Sequence, residues 1–379
     1  MDKFSVLGII TLIIVFIALL LAVFLFTVKT KNKIGNLLMG VYFVVFAVHI
    51  SVFFYAKYIS LPSVIEMLRD QIMFLSSPLL YLYVISAIYS DFKIQKKHLV
   101  HLLPFVVEIL IFVPGFYLVS DSERQVFVEN FHSNIEVRLS SIYGSLVTIF
   151  YIILTFIELG RYKRLLLENY SNKTNFNYKW LYQLTVILAA IFVFSTSKQV
   201  YKFFGTDIEV LNIMRIVLTL GLLFFLTWII MKSLYHPELF RSIDTKHLLA
   251  EKLLNQDNLE IQNKKEDKFS EQIEVLKKYM ETNESYLDSS LTIHKLANQM
   301  NIPFRDLSIL INHHLGQHFF DFINEYRIKK AIHLLDNPAN KKLTILEILY
   351  DVGFNSKSPF NTAFKKHTGL TPTEYRKKH

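Results

Sequence analysis

The sequence predicts an all-α protein: a seven-helix transmembrane bundle followed by a soluble domain of two tandem helix–turn–helix units. Three observations predict it. The 379-residue chain is 52% hydrophobic and only 19% charged, with a mean hydropathy of +0.32, too apolar for a protein that lives wholly in water. The apolar residues are concentrated before about residue 235, in seven long runs almost free of charge. Beyond them the chain turns lysine-rich and repeats itself. LTIHKLANQMN (Leu291–Asn301) aligns with LTILEILYDVG (Leu343–Gly353) 52 residues later, and HHLG (His313–Gly316) with KHTG (Lys366–Gly369).

A bilayer core about 30 Å thick takes roughly 20 residues of apolar helix, because lipid offers no partner to an unpaired amide. The seven runs are Ser5–Val28, Ile34–Ala56, Ile72–Tyr89, Leu99–Val119, Leu139–Ile157, Trp180–Phe203 and Val210–Met231. The first is too long for the roughly 7–15-residue core of a cleaved signal peptide and ends in Phe-Thr-Val-Lys, so it reads as a retained helix. Basic residues follow the first, third and fifth runs: Lys29, Lys31 and Lys33; Lys93, Lys96 and Lys97; Arg161, Lys163, Arg164, Lys173 and Lys179. The loop after the fourth carries Asp121, Glu123, Glu129 and Glu136 against Arg124 and Arg138. Basic loops stay in the cytoplasm. The expected location is therefore the bacterial inner membrane, multi-pass, with the N-terminus outside and the C-terminal domain cytoplasmic.

Ionisable groups inside spans are costly and call for a reason. Glu108 lies mid-span between Pro104 and Pro114, while His49, Lys198 and Arg215 fall in the outer halves of the second, sixth and seventh runs. One reading makes these four the lining of an outward-open signal pocket, with Glu108 deepest. The other has Lys198 and Arg215 reaching the interface and His49 and Glu108 bonding between helices. Tyr55, Tyr58, Tyr117 and Trp180, at span ends, read as interfacial anchors.

The organisation that follows is a membrane domain over 1–235, a polar linker over 236–267 and a soluble domain over 268–379. Leu248–Leu249 and Leu253–Leu254 suit a short amphipathic helix or a solvated connector. Lys268–Thr282 reads as a firmer helix, with Ile273, Leu276, Tyr279 and Met280 on one face.

Each repeat reads helix, tight turn, helix. Thr344 and Glu347 form a capping box, Gly353 supplies a turn, Ser356 caps the next helix with Pro359 in its first turn, and Gly369 closes it. Phe360 and Phe364 face the core, leaving Lys357, Ser358, Asn361, Thr362 and Lys365 on the opposite, donor-rich face, which suits a major groove. In the first unit the equivalent helix is about Pro303–His314, burying Leu307, Leu310 and Ile311 and exposing Arg305, Ser308 and Asn312. A long helix from about Phe319 to Leu335 bridges the units along a stripe of Ile323, Tyr326, Ala331, Leu334 and Leu335. From Ser285 to His379 there are 13 Lys or Arg against 8 Asp or Glu, a net of +5. That sign fits phosphate contact, although a solvated helical bundle has the same composition.

LTIHKLANQMN, LGQHFFDFINEYRIKKAIHLL and LLDNPANKKLTILEILYDVGFNSKSPFNTAFKKHTGLTPTEYRK together resemble the AraC-type DNA-binding domain over about Leu291–Lys377. The resemblance implies seven helices, two helices entering successive major grooves, and base contacts from the exposed residues just named. Leu349 stands where that family usually has alanine, and Ile302, Ile309 and Ile311 replace its usual capping, basic and aromatic residues. The whole layout resembles membrane-integrated regulators of Bacteroidota-like bacteria.

The resemblance implies a one-component transcriptional regulator whose bundle senses a signal and relays it through Lys268–Thr282. The expected partners are double-stranded DNA, the lipid bilayer, an unidentified small-molecule or membrane signal and a second copy of the chain. No cofactor and no metal are expected. Competing readings are a transporter or enzyme-like bundle with an autoregulatory tail, or a tail that binds a protein. The chain has no cysteine, no HExxH and no phosphate-binding glycine loop. The repeated, broken halves of a transporter are not visible in it.

Overall fold

A computed structural model describes residues 3–28, 33–56, 58–89, 91–171, 176–204, 207–235 and 266–378. The chain divides into two compact units, Met1–Leu159 with Phe176–Thr245, and Gly160–Asn175 with Lys246–His379. Regular structure among the described residues is helical, with one isolated antiparallel bridge between Tyr170 and Thr292. All but the last two residues of the expected linker 236–267 lie outside the described residues, including both leucine pairs.

Among the described residues seven helices are long and apolar enough to cross a membrane, Val6–Thr27, Lys33–Tyr55, Ser63–Ile88, Lys96–Tyr117, Ile135–Asn169, Tyr178–Lys202 and Ile208–Ser233; they lie in the first unit, except that the fifth runs on past Leu159 into the second. Two differ from the expected bounds. The third begins at Ser63, because Ser63–Gln71 is a helix that buries Met67 and Gln71 and runs on through a 3-10 turn at Ile72–Leu75. The fifth continues to Asn169, since GRYKRLLLEN is rich in strong helix formers. Hydropathy ends where charge begins, but backbone hydrogen bonding does not.

The first two helices pack together, burying Ile14, Ala18, Ala22, Phe43 and Ala47. Gly40 lies so close under the Phe26 ring that any side chain there would overlap it. The fourth helix passes at Phe112 into a π-helical turn, Val113–Tyr117, at Pro114. The following loop helix, Asp121–Glu129, is capped by Ser120 and Glu123 and packs Phe127 on Phe112 and Phe116. Trp180 is not an interfacial anchor: it is buried, donates from Nε1 to the Tyr83 hydroxyl at 3.2 Å and stacks on Trp228.

In the second unit, the helix Glu266–Asn283 buries Leu276 and Met280 against Leu291, Ile293, Leu296, Leu307, Leu310 and Phe319. Its apolar face is thus already occupied within the unit. The support helix Ile293–Gln299 is capped by Thr292, and Phe304–Ile309 follows the turn. The expected continuous helix to His314 instead becomes a π-helical segment at Leu310–His314. The bridging helix Phe319–Asp336 leads to the second support helix, Ile345–Asp351, and then to Lys357–Thr368 and Pro372–Lys378.

The two repeats match at their turns. Gly353 takes φ +89° and its aligned counterpart Asn301 takes φ +53°, asparagine being one of the few residues with a side chain that tolerates the left-handed region. The expected capping box is formed, Glu347 Oε2 accepting from Thr344 N at 2.6 Å and Thr344 Oγ1 from Glu347 N at 3.1 Å. Ser356 occupies the cap of the last long helix without a side-chain bond to it. Leu349 is fully buried with Ile348, Val352, Phe354, Phe360 and Phe364, so the space of the usual alanine has been filled.

Candidate nucleic-acid interface

The second unit presents a helix with two clean faces. Phe360, Ala363 and Phe364 are buried, and Phe360 meets Phe354 and Phe364 at ring-centroid distances of 5.2 and 5.7 Å. Lys357, Ser358, Asn361, Thr362 and Lys365 are all exposed on the other side. The face offers two ammonium groups, an amide and two hydroxyls, which can engage phosphates and base edges. Lys366, also exposed, is tied back by a 2.8 Å ion pair to Asp321 on the bridging helix.

The first unit differs. Arg305 is half-buried, and Ser308, expected to be exposed, is only 1% exposed. The Asn312 amide is occupied at both ends: Oδ1 accepts from Phe319 N at 3.0 Å, and Nδ2 donates to Ser308 Oγ and to the Glu168 carbonyl, each at 3.3 Å. The Asn312 bond to Glu168 comes from a segment distant in sequence. Glu168, Asn169 and Ser171, at the end of the fifth long helix, are buried in this unit.

Arg327 is the hub of the unit, fully buried on the bridging helix. Its Nε donates to Tyr286 O at 2.6 Å and its terminal nitrogens to Asp288 O at 2.9 Å, Ser171 O at 3.2 Å and Ser171 Oγ at 3.1 Å. Its guanidinium also sits over the Phe354 ring, 5.5 Å from the centroid. Burial pushes its pKa down to about 10, against the pull of Asp288, which leaves it charged at neutral pH. The planar fork suits this task, since it reaches several carbonyls at once. An arginine amid the apolar stripe of the bridging helix is the sequence signal that could have shown its burial.

The candidate signal residues lie in the other unit. Glu108 is 2% exposed, accepts from Ser140 Oγ at 2.6 Å, and leaves Oε2 without a hydrogen-bond partner among the described residues. Gln71, 1% exposed, accepts from the Tyr117 hydroxyl at 2.7 Å and leaves Nε2 similarly unmatched. Asp70, missed in the sequence reading, lies 3.5 Å from His49 Nδ1 and within electrostatic range of Glu108. Lys198 is in range of both His49 and Arg215, and Arg215 donates to Asn212 at 3.3 Å. Arg69 bonds the His49 carbonyl at 2.7 Å and Glu66 at 2.8 Å. Asp70 thus stands between His49 and Glu108, and Lys198 between His49 and Arg215. Among the described residues no group of three His, Cys, Asp or Glu could hold a metal ion.

Residues 296–378 match the family described as "Helix-turn-helix domain". The C-terminal region is a helix-turn-helix domain of the AraC type. The chain is 32% identical over 93 residues to the Msm operon regulatory protein of Streptococcus mutans, a match covering 24% of this chain and 32% of that one. It is 38% identical over 56 residues to the uncharacterized HTH-type transcriptional regulator YdeC of Bacillus subtilis, covering 15% and 18%. A third relative is the HTH-type transcriptional activator RhaS of Mannheimia succiniciproducens, 28% identical over 93 residues, covering 24% and 34%. The chain spans at most about a third of the length of these relatives. No solved structure matches the chain.

Proposed function

We propose that this protein is a membrane-bound transcriptional regulator: its helix-turn-helix domain binds promoter DNA under the control of a signal received by the seven-helix unit. The observation that carries the reading is the exposed face of Lys357–Thr368, polar and basic throughout, on a helix anchored by three buried side chains. Relatives named as operon regulators and activators support the same reading. The helix equivalent to Lys357–Thr368 enters a major groove, with Lys357 and Lys365 positioned for phosphates and Ser358, Asn361 and Thr362 for base edges.

The first unit is proposed to belong in a bilayer. Phe16, Leu146, Val193, Ile213 and Phe224 are all more than half exposed on its outside. An apolar exterior of this extent is a liability in water and the normal state in lipid. The basic residues that follow the apolar stretches of the first, third and fifth helices support a cytoplasmic C-terminal domain. His49, Glu108, Lys198 and Arg215 are proposed as the signal site, with Asp70 between the first two. The unmatched Glu108 Oε2 and Gln71 Nε2 offer an acceptor and a donor to a ligand that carries both.

The test is genome-wide chromatin crosslinking of the full-length protein beside a Lys357→Ala, Asn361→Ala variant. Discrete promoter peaks that vanish in the variant support the reading. Peaks that persist unchanged in the variant would remove the assigned DNA face.

A further inference from the structure

The fifth long helix does not stop where its apolar stretch stops. It continues unbroken to Asn169 and ends in a short strap that is built into the helix-turn-helix domain. Ser171 is 1% exposed; its N–H and its hydroxyl both donate to Leu291 O, at 3.3 and 2.7 Å. Tyr170 pairs with Thr292, the cap of the first support helix. Arg327 grips Ser171 through two further bonds, and the Glu168 carbonyl takes the Asn312 amide.

One of these contacts falls on a candidate base-reading residue, Asn312. On the first recognition helix, Leu307, Leu310 and Ile311 face the core, while Ser308 and Asn312 share the other side at a spacing of four. To read an adenine, an asparagine must offer its oxygen and its nitrogen together to one base edge. With the strap in place, Asn312 Nδ2 is held by Glu168 and Ser308, and Oδ1 holds the start of the bridging helix. Ser308 is enclosed beside it.

Resting on the DNA-binding reading above, we propose that Glu168–Ser171 is a mask docked on the first helix-turn-helix unit, and that its release is how the fifth membrane helix controls DNA binding. The docked state engages DNA through the second unit alone; undocking releases the Asn312 amide from the Glu168 carbonyl and recruits the first. The mask is covalently continuous with the Ile135–Asn169 helix, so a shift or rotation of that helix pulls directly on Ser171. This path does not run through residues 236–267, nor through Glu266–Asn283, whose apolar face is committed to its own unit.

The chain has no cysteine, so the strap can be locked without background. Residues facing each other in an antiparallel pair have Cα atoms about 4.5–5.5 Å apart, within the roughly 4.4–6.8 Å that a disulfide spans. The experiment uses the full chain in lipid nanodiscs carrying Tyr170→Cys and Thr292→Cys. The reduced protein first selects duplexes from a randomised library, and affinity for the selected duplex is then compared before and after oxidation. The expected result is ready crosslinking, binding at least about tenfold weaker in the oxidised form, and full recovery on reduction. A second variant, Ser171→Pro, which removes both donors to Leu291, should bind the same duplex more tightly than the unaltered chain.

Failure to crosslink would show that Tyr170 does not dock beside Thr292. Equal affinity in the two redox states would show that the strap does not mask the domain. Either result overturns the proposal while leaving DNA binding intact. If neither the unaltered nor the reduced variant chain selects any duplex, the DNA-binding reading itself falls and the mask with it.

Discussion

Replacing Gly353 by alanine should damage the helix-turn-helix domain more than any other single glycine change in it. Gly353 sits at φ +89°, where a side chain costs roughly 1–2 kcal/mol against glycine. A Cβ there would also stand 2.7 Å from Leu287 O and 2.8 Å from Tyr286 O, backbone atoms that cannot swing aside. Tyr286 O is held in addition by Arg327, so moving it disturbs the hub. Adding a packing cost of about 1–3 kcal/mol for the overlap brings the total to about 2–5 kcal/mol. Gly369 is the internal control: φ is +77°, but nothing lies within 4 Å of its Cβ position, so Gly369→Ala should cost only the conformational part. The assay is hydrogen exchange of the full-length protein, followed in peptides covering Leu343–Thr368. Each 1.4 kcal/mol is tenfold in the opening equilibrium, so Gly353→Ala should accelerate exchange there by about 30-fold or more, and Gly369→Ala by about 5- to 30-fold. Equal effects from the two substitutions would refute the argument that Gly353 is required by close approach rather than by its dihedral angle alone.

Three further outcomes are expected. Burial holds the His294 imidazole, stacked 3.7 Å from the Phe304 ring, below the usual histidine pKa. The unfolded chain then takes up a proton that the folded one resists, so the first unit should be fully stable above about pH 6.5 and lose stability as pH falls below it. Hydrogen exchange at pH 7.5 and 5.5, corrected for intrinsic rates, should show that loss, and His294→Gln should flatten it. Thr344→Ala removes one half of a capping box and should cost about 1 kcal/mol in the opening of Ile345–Asp351, with Ser358→Ala as a neutral surface control. Lys357→Ala should leave exchange protection unchanged, weaken binding to different duplexes alike, and lower the slope of log affinity against log salt by about 1.

Much of this architecture is visible without coordinates because it is encoded locally. Seven apolar runs, two aligned repeats, a capping box at Thr344 and Glu347, and a bridging helix starting at Phe319 each occupy one contiguous stretch. Periodicity and end chemistry report on such stretches directly. The exposed face of the second recognition helix is of the same kind: Phe360 and Phe364 define one side, and Lys357, Asn361 and Lys365 follow on the other by helical geometry alone.

The first unit shows where that reasoning stops. By the same periodicity Ser308 should face solvent, and it is buried, while Asn312 beside it bonds a segment 144 residues upstream. Nothing in ENYSNK sets Ser171 apart from any other polar loop residue, yet it meets Leu291 across a sequence separation of 120 and Arg327 across 156. Gly353 reads as a turn glycine from sequence; that its missing side chain also makes room for the Tyr286 and Leu287 carbonyls is a fact of packing. The sequence alone determined the helices, their apolar and polar faces, and the kinship of the two C-terminal units. Only the tertiary structure decided which polar face is left free. That depends on desolvation by distant segments, and a helix pattern carries no record of what will later be packed against it.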